Sequence, residues 1–227
     1  MSLTDGRNAA SAPLLAAVGC YVVWGLSVLV YQQMGQAGAS AWEILAHRAL
    51  WSVLWAGALV VLANQTPQLL SVLKTPRTLA WLALSTALIS TNWFLFVWAV
   101  NNGRTLDTSF GYYVNPLMNM AAGALLFRER IDRIGKIAIG LAAAGVLVQG
   151  VALGHPPWIS LALATTFWLY GLIRKQIAAD AQTGLFVECL YLALPGLLVV
   201  AWLQGSGEGH AFDSPVAFFW LFMAGPV

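Results

Sequence analysis

Residues 79–100 read LAWLALSTALISTNWFLFVWAV, with no Asp, Glu, Lys or Arg among them. The hydrocarbon core of a bilayer is about 30 Å thick, and a helix needs about 20 mostly apolar residues to cross it. This run is long enough. Working outward from it, apolar runs of similar length occupy about 13–32, 42–63, 108–127, 137–153, 157–173 and 183–202. An eighth starts near Pro215 and reaches only Val227, too short to cross, so the chain is expected to stop inside its eighth helix. The fold class that follows is an all-α polytopic membrane protein with about seven and a half helices. The connectors are short. The longest, 64–80, holds Pro67 and Pro76 and is expected to be a loop; another, 204–214, is Gly-rich and acidic. The first run is too long for the apolar part of a signal peptide and only Arg7 precedes it, so it reads as a membrane helix.

Composition agrees. Of 227 residues, 59% are hydrophobic and 9% charged, against about 25% charged in an average soluble domain. Mean hydropathy is +0.74. Eleven basic and nine acidic residues cannot cover a water-soluble globule of this size, which excludes a soluble enzyme domain, a disordered chain, a coiled coil and a nucleic-acid binder with a basic face. Cys20 and Cys189 each lie in an apolar run and suggest neither a disulfide framework nor a zinc site.

The distribution of charge orients the chain. With the N-terminus in the cytoplasm, the inner side receives Arg7, Lys74, Arg77, Arg128, Arg130, Arg133, Lys136, Arg174 and Lys175, while the outer side receives Arg104 alone. That is a strong positive-inside bias. A short repeat is also present: Tyr21-Val-Val-Trp24-Gly25-Leu26 and Phe167-Trp168-Leu-Tyr170-Gly171-Leu both follow aromatic-x-x-aromatic-Gly-Leu. Glu43 and Glu188 fall near the starts of the next runs. Five helices per repeat is an odd number, so the copies would cross in opposite senses, as in secondary transporters.

Polar residues inside the runs are costly and mark candidate sites. Glu43, Arg48 and Glu188 are the charged ones, and His47 joins them as a titratable group sharing a helix face with Glu43. Two uses are open: an internal ion pair of Glu43 with Arg48 or His47, or a solute or proton site. The 79–100 run carries Ser85, Ser90, Thr91 and Asn92; the next carries Tyr112, Asn115 and Asn119. Pro116 and Pro195 free the carbonyls of Tyr112 and Tyr191, which fits a packing kink satisfied by a neighbouring Ser or Asn or, beside the Asn, Tyr and Trp residues, a broken transporter helix near the midplane. Trp24 and Trp168 lie in mid-span, where they suit either a cavity wall or simple core filling. Gly140 and Ala144 suit close helix packing. The H-E-x-x-H, P-loop and dinucleotide-binding patterns are missing. Gly25-Leu26-Ser27 with His47 is too slight for an intramembrane protease. No cofactor, metal or catalytic residue is expected.

Longer stretches give a resemblance. They are Glu43-Ile-Leu-Ala-His47-Arg48-Ala-Leu-Trp51-Ser52, Asn92-Trp93-Phe-Leu-Phe-Val-Trp98-Ala-Val-Asn101-Asn102, Leu106-Asp-Thr-Ser-Phe-Gly111-Tyr112-Tyr113-Val-Asn115-Pro116-Leu-Met-Asn119, Arg128-Glu129-Arg130, Tyr170-Gly171-Leu-Ile-Arg174-Lys175 and Ala181-Gln182-Thr183-Gly184. Across nearly its whole length the chain resembles the RarD-type permeases of the EamA group, in the drug/metabolite transporter superfamily. Arg128 departs from the Gly usual before the Glu-Arg pair. The resemblance implies ten helices in two inverted five-helix repeats around a central cavity, with residues 1–153 as the first repeat and 154–227 as the start of the second. It implies a permease of the bacterial inner membrane, exporting small metabolites or drugs by alternating access. Without the last helices, the chain is expected to lack part of its cavity wall and to be inactive.

The site expected on both grounds has Trp24, Arg48, Asn92, Tyr112, Asn115 and Trp168 lining the solute cavity. Arg48 would attract an anionic group, the amides would orient it and the aromatics would stack. Glu43, His47 and Glu188 are the candidates for proton coupling. The partners are a small-molecule solute, the lipid bilayer and protons, with no nucleic acid. The rival readings are a non-transporting membrane scaffold or inactive fragment and, further off, an intramembrane enzyme.

Overall fold

The computed structural model describes residues 3–126, 131–154 and 156–226. Among them are nine helices: α1 (Leu3–Gln36), α2 (Ala41–Leu62), α3 (Thr66–Leu73), α4 (Pro76–Asn101), α5 (Thr105–Leu126), α6 (Arg133–Leu153), α7 (Trp158–Arg174), α8 (Ala181–Ser206) and α9 (Pro215–Met223). Every apolar run carries a helix. Among the described residues four, α2, α4, α8 and the 133–152 part of α6, are long and apolar enough to cross a membrane; the apolar α7 is shorter, at 17 residues. Arg128, Glu129, Arg130 and His155 lie outside the described residues, as do the side chains of Arg7 and Asn119.

Local chemistry sets the ends. The Ser40 hydroxyl accepts the Glu43 N–H (3.2 Å), the Asp132 carboxylate accepts the Gly135 N–H (2.8 Å) and the Ser214 hydroxyl accepts the Ala217 N–H (3.0 Å), so α2, α6 and α9 each start on a side-chain cap. α6 stops at Gly154, whose φ of +71° suits a residue without a Cβ. The connector expected as a loop at 64–80 instead contains α3. Pro67 stands in the first turn of α3, where its missing N–H costs nothing and its fixed φ favours the helix.

Apart from the short α3, the helices alternate in direction. One end of the bundle, the basic end, carries Lys74, Arg77, Arg174 and Lys175; the far end carries Arg104. α2 lies along α8, antiparallel: a Cβ added to Gly196 would sit 3.0 Å from the Ala46 carbonyl oxygen, and one added to Gly57 would sit 3.1 Å from the Phe186 ring. α7 packs between α4 and α5, and at Gly111 α5 comes close enough that a Cβ would lie 2.9 Å from the Ser160 carbonyl oxygen. α9 meets α1 and α2. α6 packs on α5 and turns Ile134, Ile137, Leu141, Leu147 and Val151 outward, as a lipid-facing helix does.

Two apolar clusters close the ends. Tyr31, Met34, Ile44, Val97, Val100 and Leu221 join α1, α2, α4 and α9 at the far end. Val72, Leu82, Ile177 and Val187 join α3, α4, the α7–α8 turn and α8 at the basic end. The α2–α3 junction is also fastened to the start of α8. The Gln65 amide donates to Asp180 (3.2 Å) and Gln182 (3.1 Å), while its oxygen accepts the Thr183 hydroxyl (2.9 Å).

Candidate functional site

Asn92 sits in the middle of α4 at 0% exposure. Its amide donates to the Leu163 carbonyl (2.9 Å) and to the Thr166 hydroxyl (2.9 Å), both on α7. Its oxygen accepts the Tyr112 hydroxyl of α5 at 2.9 Å. One buried amide therefore ties three helices, as a polar group away from water must. Rings continue from it. Tyr112 touches Phe96 (5.8 Å between ring centres), Phe167 (5.7 Å) and Trp24 of α1 (6.0 Å). Trp24 also meets Phe167 at 5.9 Å and remains 44% exposed. Trp24, Asn92 and Tyr112 are thus brought together. Trp168 makes no ring contact among the described residues. Its neighbour Phe167 fills that place, because consecutive helical residues point about 100° apart.

Arg48 lies next to this cluster. Its guanidinium donates to the Tyr31 hydroxyl and sits over the Trp93 ring, 4.2 Å from the ring centre. Tyr31 packs edge-on against Phe96 (5.9 Å), which links Arg48 to the Tyr112 rings. The Arg48 Nε is buried and has no hydrogen-bond partner. No described carboxylate comes within 4.0 Å of Arg48, so the Glu43–Arg48 pair that the sequence left open does not form. Cation–π contact and one hydroxyl hold the charge in place without neutralising it. Asn115, one turn beyond Gly111 on α5, is buried with both its amide oxygen and nitrogen unpartnered.

The three candidates for proton coupling occupy separate surroundings. Glu43, 1% exposed, accepts the backbone N–H groups of His210 (2.7 Å) and Ala211 (3.0 Å) through one oxygen, and its other oxygen lies 3.5 Å from the His210 ring. It fastens the α8–α9 connector to the start of α2. His47 accepts the Trp51 indole N–H at 3.2 Å, and its other nitrogen is buried without a partner. Although Glu43 and His47 share a helix face, no bond joins them among the described residues. Glu188, also 1% exposed, accepts the Ser85 hydroxyl of α4 (2.6 Å) and the Tyr170 hydroxyl of α7 (3.2 Å), with the Arg174 Nε 3.7 Å away.

The sequence reading did not reach Tyr31, Trp93, Phe167, Tyr170, Arg174 and His210 as site residues. Tyr170 and Arg174 carried a usable signal, since they are one turn apart, with Tyr170 inside the repeated aromatic pattern. His210 carried none; it stands in a connector whose path only the fold defines. Among the described residues, no group of three His, Cys, Asp or Glu side chains gathers as a metal ion requires.

Comparison with known proteins identifies the family. The model of the EamA-like transporter family matches residues 11–150. An uncharacterized transporter of Vibrio cholerae is 40% identical over 204 residues, covering 89% of this chain and 67% of the relative. Protein RarD of Salmonella typhi is 39% identical over 214 residues, covering 94% and 72%, and Protein RarD of Escherichia coli K12 is 36% identical over 211 residues, covering 93% and 71%. No solved structure matches the chain. A family model spanning more than half of the sequence, relatives of this similarity and a bundle of apolar helices lead to one conclusion: the chain is a multi-pass membrane protein that belongs to the EamA-like transporter family, as a RarD-type member of it.

Proposed function

We propose that the chain serves as a secondary transporter of the bacterial inner membrane, moving a small organic solute by alternating access, with Arg48 at the solute site. One observation carries this: a buried guanidinium with no carboxylate partner, its Nε unsatisfied, beside the Asn92–Tyr112 network and its ring of aromatics. An unneutralised charge within a bundle is costly and is kept where a ligand uses it. The ligand this favours is an anionic solute with a flat or apolar body. Export of metabolites or drugs is the direction the family resemblance suggests.

The packing supports two inverted repeats, divided near residue 153. Under that division α1 corresponds to α7, α2 to α8 and α4 to α9. α2 packs on its own counterpart α8; α4 packs on α7 and α8 as α9 packs on α1 and α2. Exchange of partners is what a pseudo-two-fold axis between repeats produces. With the N-terminus in the cytoplasm, the basic end faces inward. Tags at Lys74 should then report inside and tags at Arg104 outside; the opposite result removes this orientation. Of the three groups suited to proton coupling, Glu188 has the best position, since its bonds join α8 to α4 and α7.

The test is solute counterflow in liposomes with a panel of labelled organic anions, read alongside melting temperature on the same purified protein. Arg48→Ala should abolish counterflow and leave the melting temperature near that of the unchanged protein. Arg48→Lys should rescue poorly, because a point charge does not replace a planar fork. A large loss of melting temperature in Arg48→Ala, with counterflow intact in the folded fraction, would move Arg48 to the scaffold.

A further inference from the structure

A second arginine is used only in part. Arg174 ends α7, with its side chain 15% exposed. Its Nε stands 3.7 Å from Glu188, too far for a good hydrogen bond, and its Nη1 is buried without a partner. Glu188 does not depend on it, since Ser85 and Tyr170 already donate to both carboxylate oxygens. α8 is cut away to admit the guanidinium: a Cβ on Gly184 would overlap Cζ, Nη1 and Nη2 of Arg174. Beside it lies a shallow, widely open cavity of about 480 Å³ lined by Tyr170, Gly171, Arg174, Lys175, Ala181 and Leu185. Gly171 faces open space, with nothing within 4 Å of where its Cβ would be.

The cavity is therefore lined by two cations and Tyr170 from the end of α7 and by Ala181 and Leu185 at the start of α8. That combination fits an organic anion whose carboxylate or phosphate meets Arg174 and Lys175 and whose flat body lies against Tyr170 and Leu185. The wall also leads inward. Tyr170 touches Phe167 (6.1 Å), Phe167 touches Tyr112 (5.7 Å), and Tyr112 bonds Asn92. We infer that this cavity at the basic end is a docking site for small aryl carboxylates, separate from Arg48, in which Arg174 turns its unpartnered Nη1 from the Gly184 face of α8 to the incoming anion. As an entrance to the path it rests on the transporter reading above; as a binding site it does not.

Titration of 4-fluorobenzoate into the purified protein, followed by fluorine NMR, tests it without any transport measurement. Arg174→Gln should weaken binding about tenfold or more, since a hydrogen bond to a charged group is lost. Arg174→Lys, which keeps the charge but not the fork, should weaken it several-fold. Gly171→Leu should abolish it, filling the cavity from a position with room for the side chain. Glu188→Gln should tighten it, because the competing carboxylate is gone. Arg48→Ala should remove only the binding that Arg174→Gln leaves behind, so failure of the central site and failure of this one are told apart. Normal melting temperature in Gly171→Leu keeps the test valid if Arg174→Gln folds poorly. Equal binding of 4-fluorobenzylamine, or unchanged affinity in both Gly171→Leu and Arg174→Lys, would overturn the inference. So would loss of binding in nanodiscs containing phosphatidylglycerol but not in those of phosphatidylcholine alone, which would assign Arg174 to a lipid phosphate.

Discussion

Glu43 and Glu188 are equally sealed from solvent, and the bundle holds them in opposite ways. Glu43 takes its hydrogen bonds from the backbone of the α8–α9 connector, at His210 and Ala211. Glu188 takes its bonds from side chains, Ser85 on α4 and Tyr170 on α7, and lies near Arg174. Backbone donors do not depend on which side chains the connector carries, so Glu43 fastens a loop to the mouth of the far end. Side-chain donors on two other helices make Glu188 a joint between bodies that a transporter would need to move. A buried carboxylate therefore reports its role through the element that satisfies it, and burial alone does not separate the two.

The largest expected effect falls on the joint. Glu188→Ala leaves two buried hydroxyls without an acceptor and takes away the carboxylate beside Arg174, and together these cost roughly 3–5 kcal/mol. Thermal unfolding in detergent should show a large drop for Glu188→Ala and a markedly smaller one for Glu188→Gln, whose carbonyl still accepts from Ser85 or Tyr170. An equal drop in both would mean that the charge opposite Arg174, not the hydroxyls, makes the joint.

Glu43→Ala should cost less, about 1–3 kcal/mol for buried N–H groups left unpaired. The effect should also be local. Hydrogen exchange should speed up at the His210 and Ala211 amides while the amides of α4 and α7 keep their protection. Acceleration spread over the whole bundle would break the contrast between fastener and joint.

The smallest effect sharpens the contrast from the other side. Glu43 and Arg48 share a helix but no bond among the described contacts, so their changes should be independent. Melting of Arg48→Ala, Glu43→Ala and the double variant should give a coupling within about 0.5 kcal/mol. Recovery of stability in the double variant would instead restore the direct ion pair.

Much of this protein was legible in one dimension. Crossing length, exclusion of charge from the apolar runs and the helical character of each run are properties of consecutive residues, and all of them appear as helices in the structure. The importance of Asn92 and Tyr112 was equally visible, because a polar group inside an apolar run must find a partner wherever it lands. What only the tertiary structure decided was which partner. Phe167 rather than Trp168 meets Tyr112, because the rotation of α7 about its axis is set by packing against α4 and α5. Arg48 rests on Tyr31 and Trp93 rather than on Glu43, because α1 and α4 close around it while the connector before α9 claims the carboxylate. Spacing along one helix names the residues that share a face; only the neighbouring helices and connectors, brought in from far along the chain, determine what that face touches.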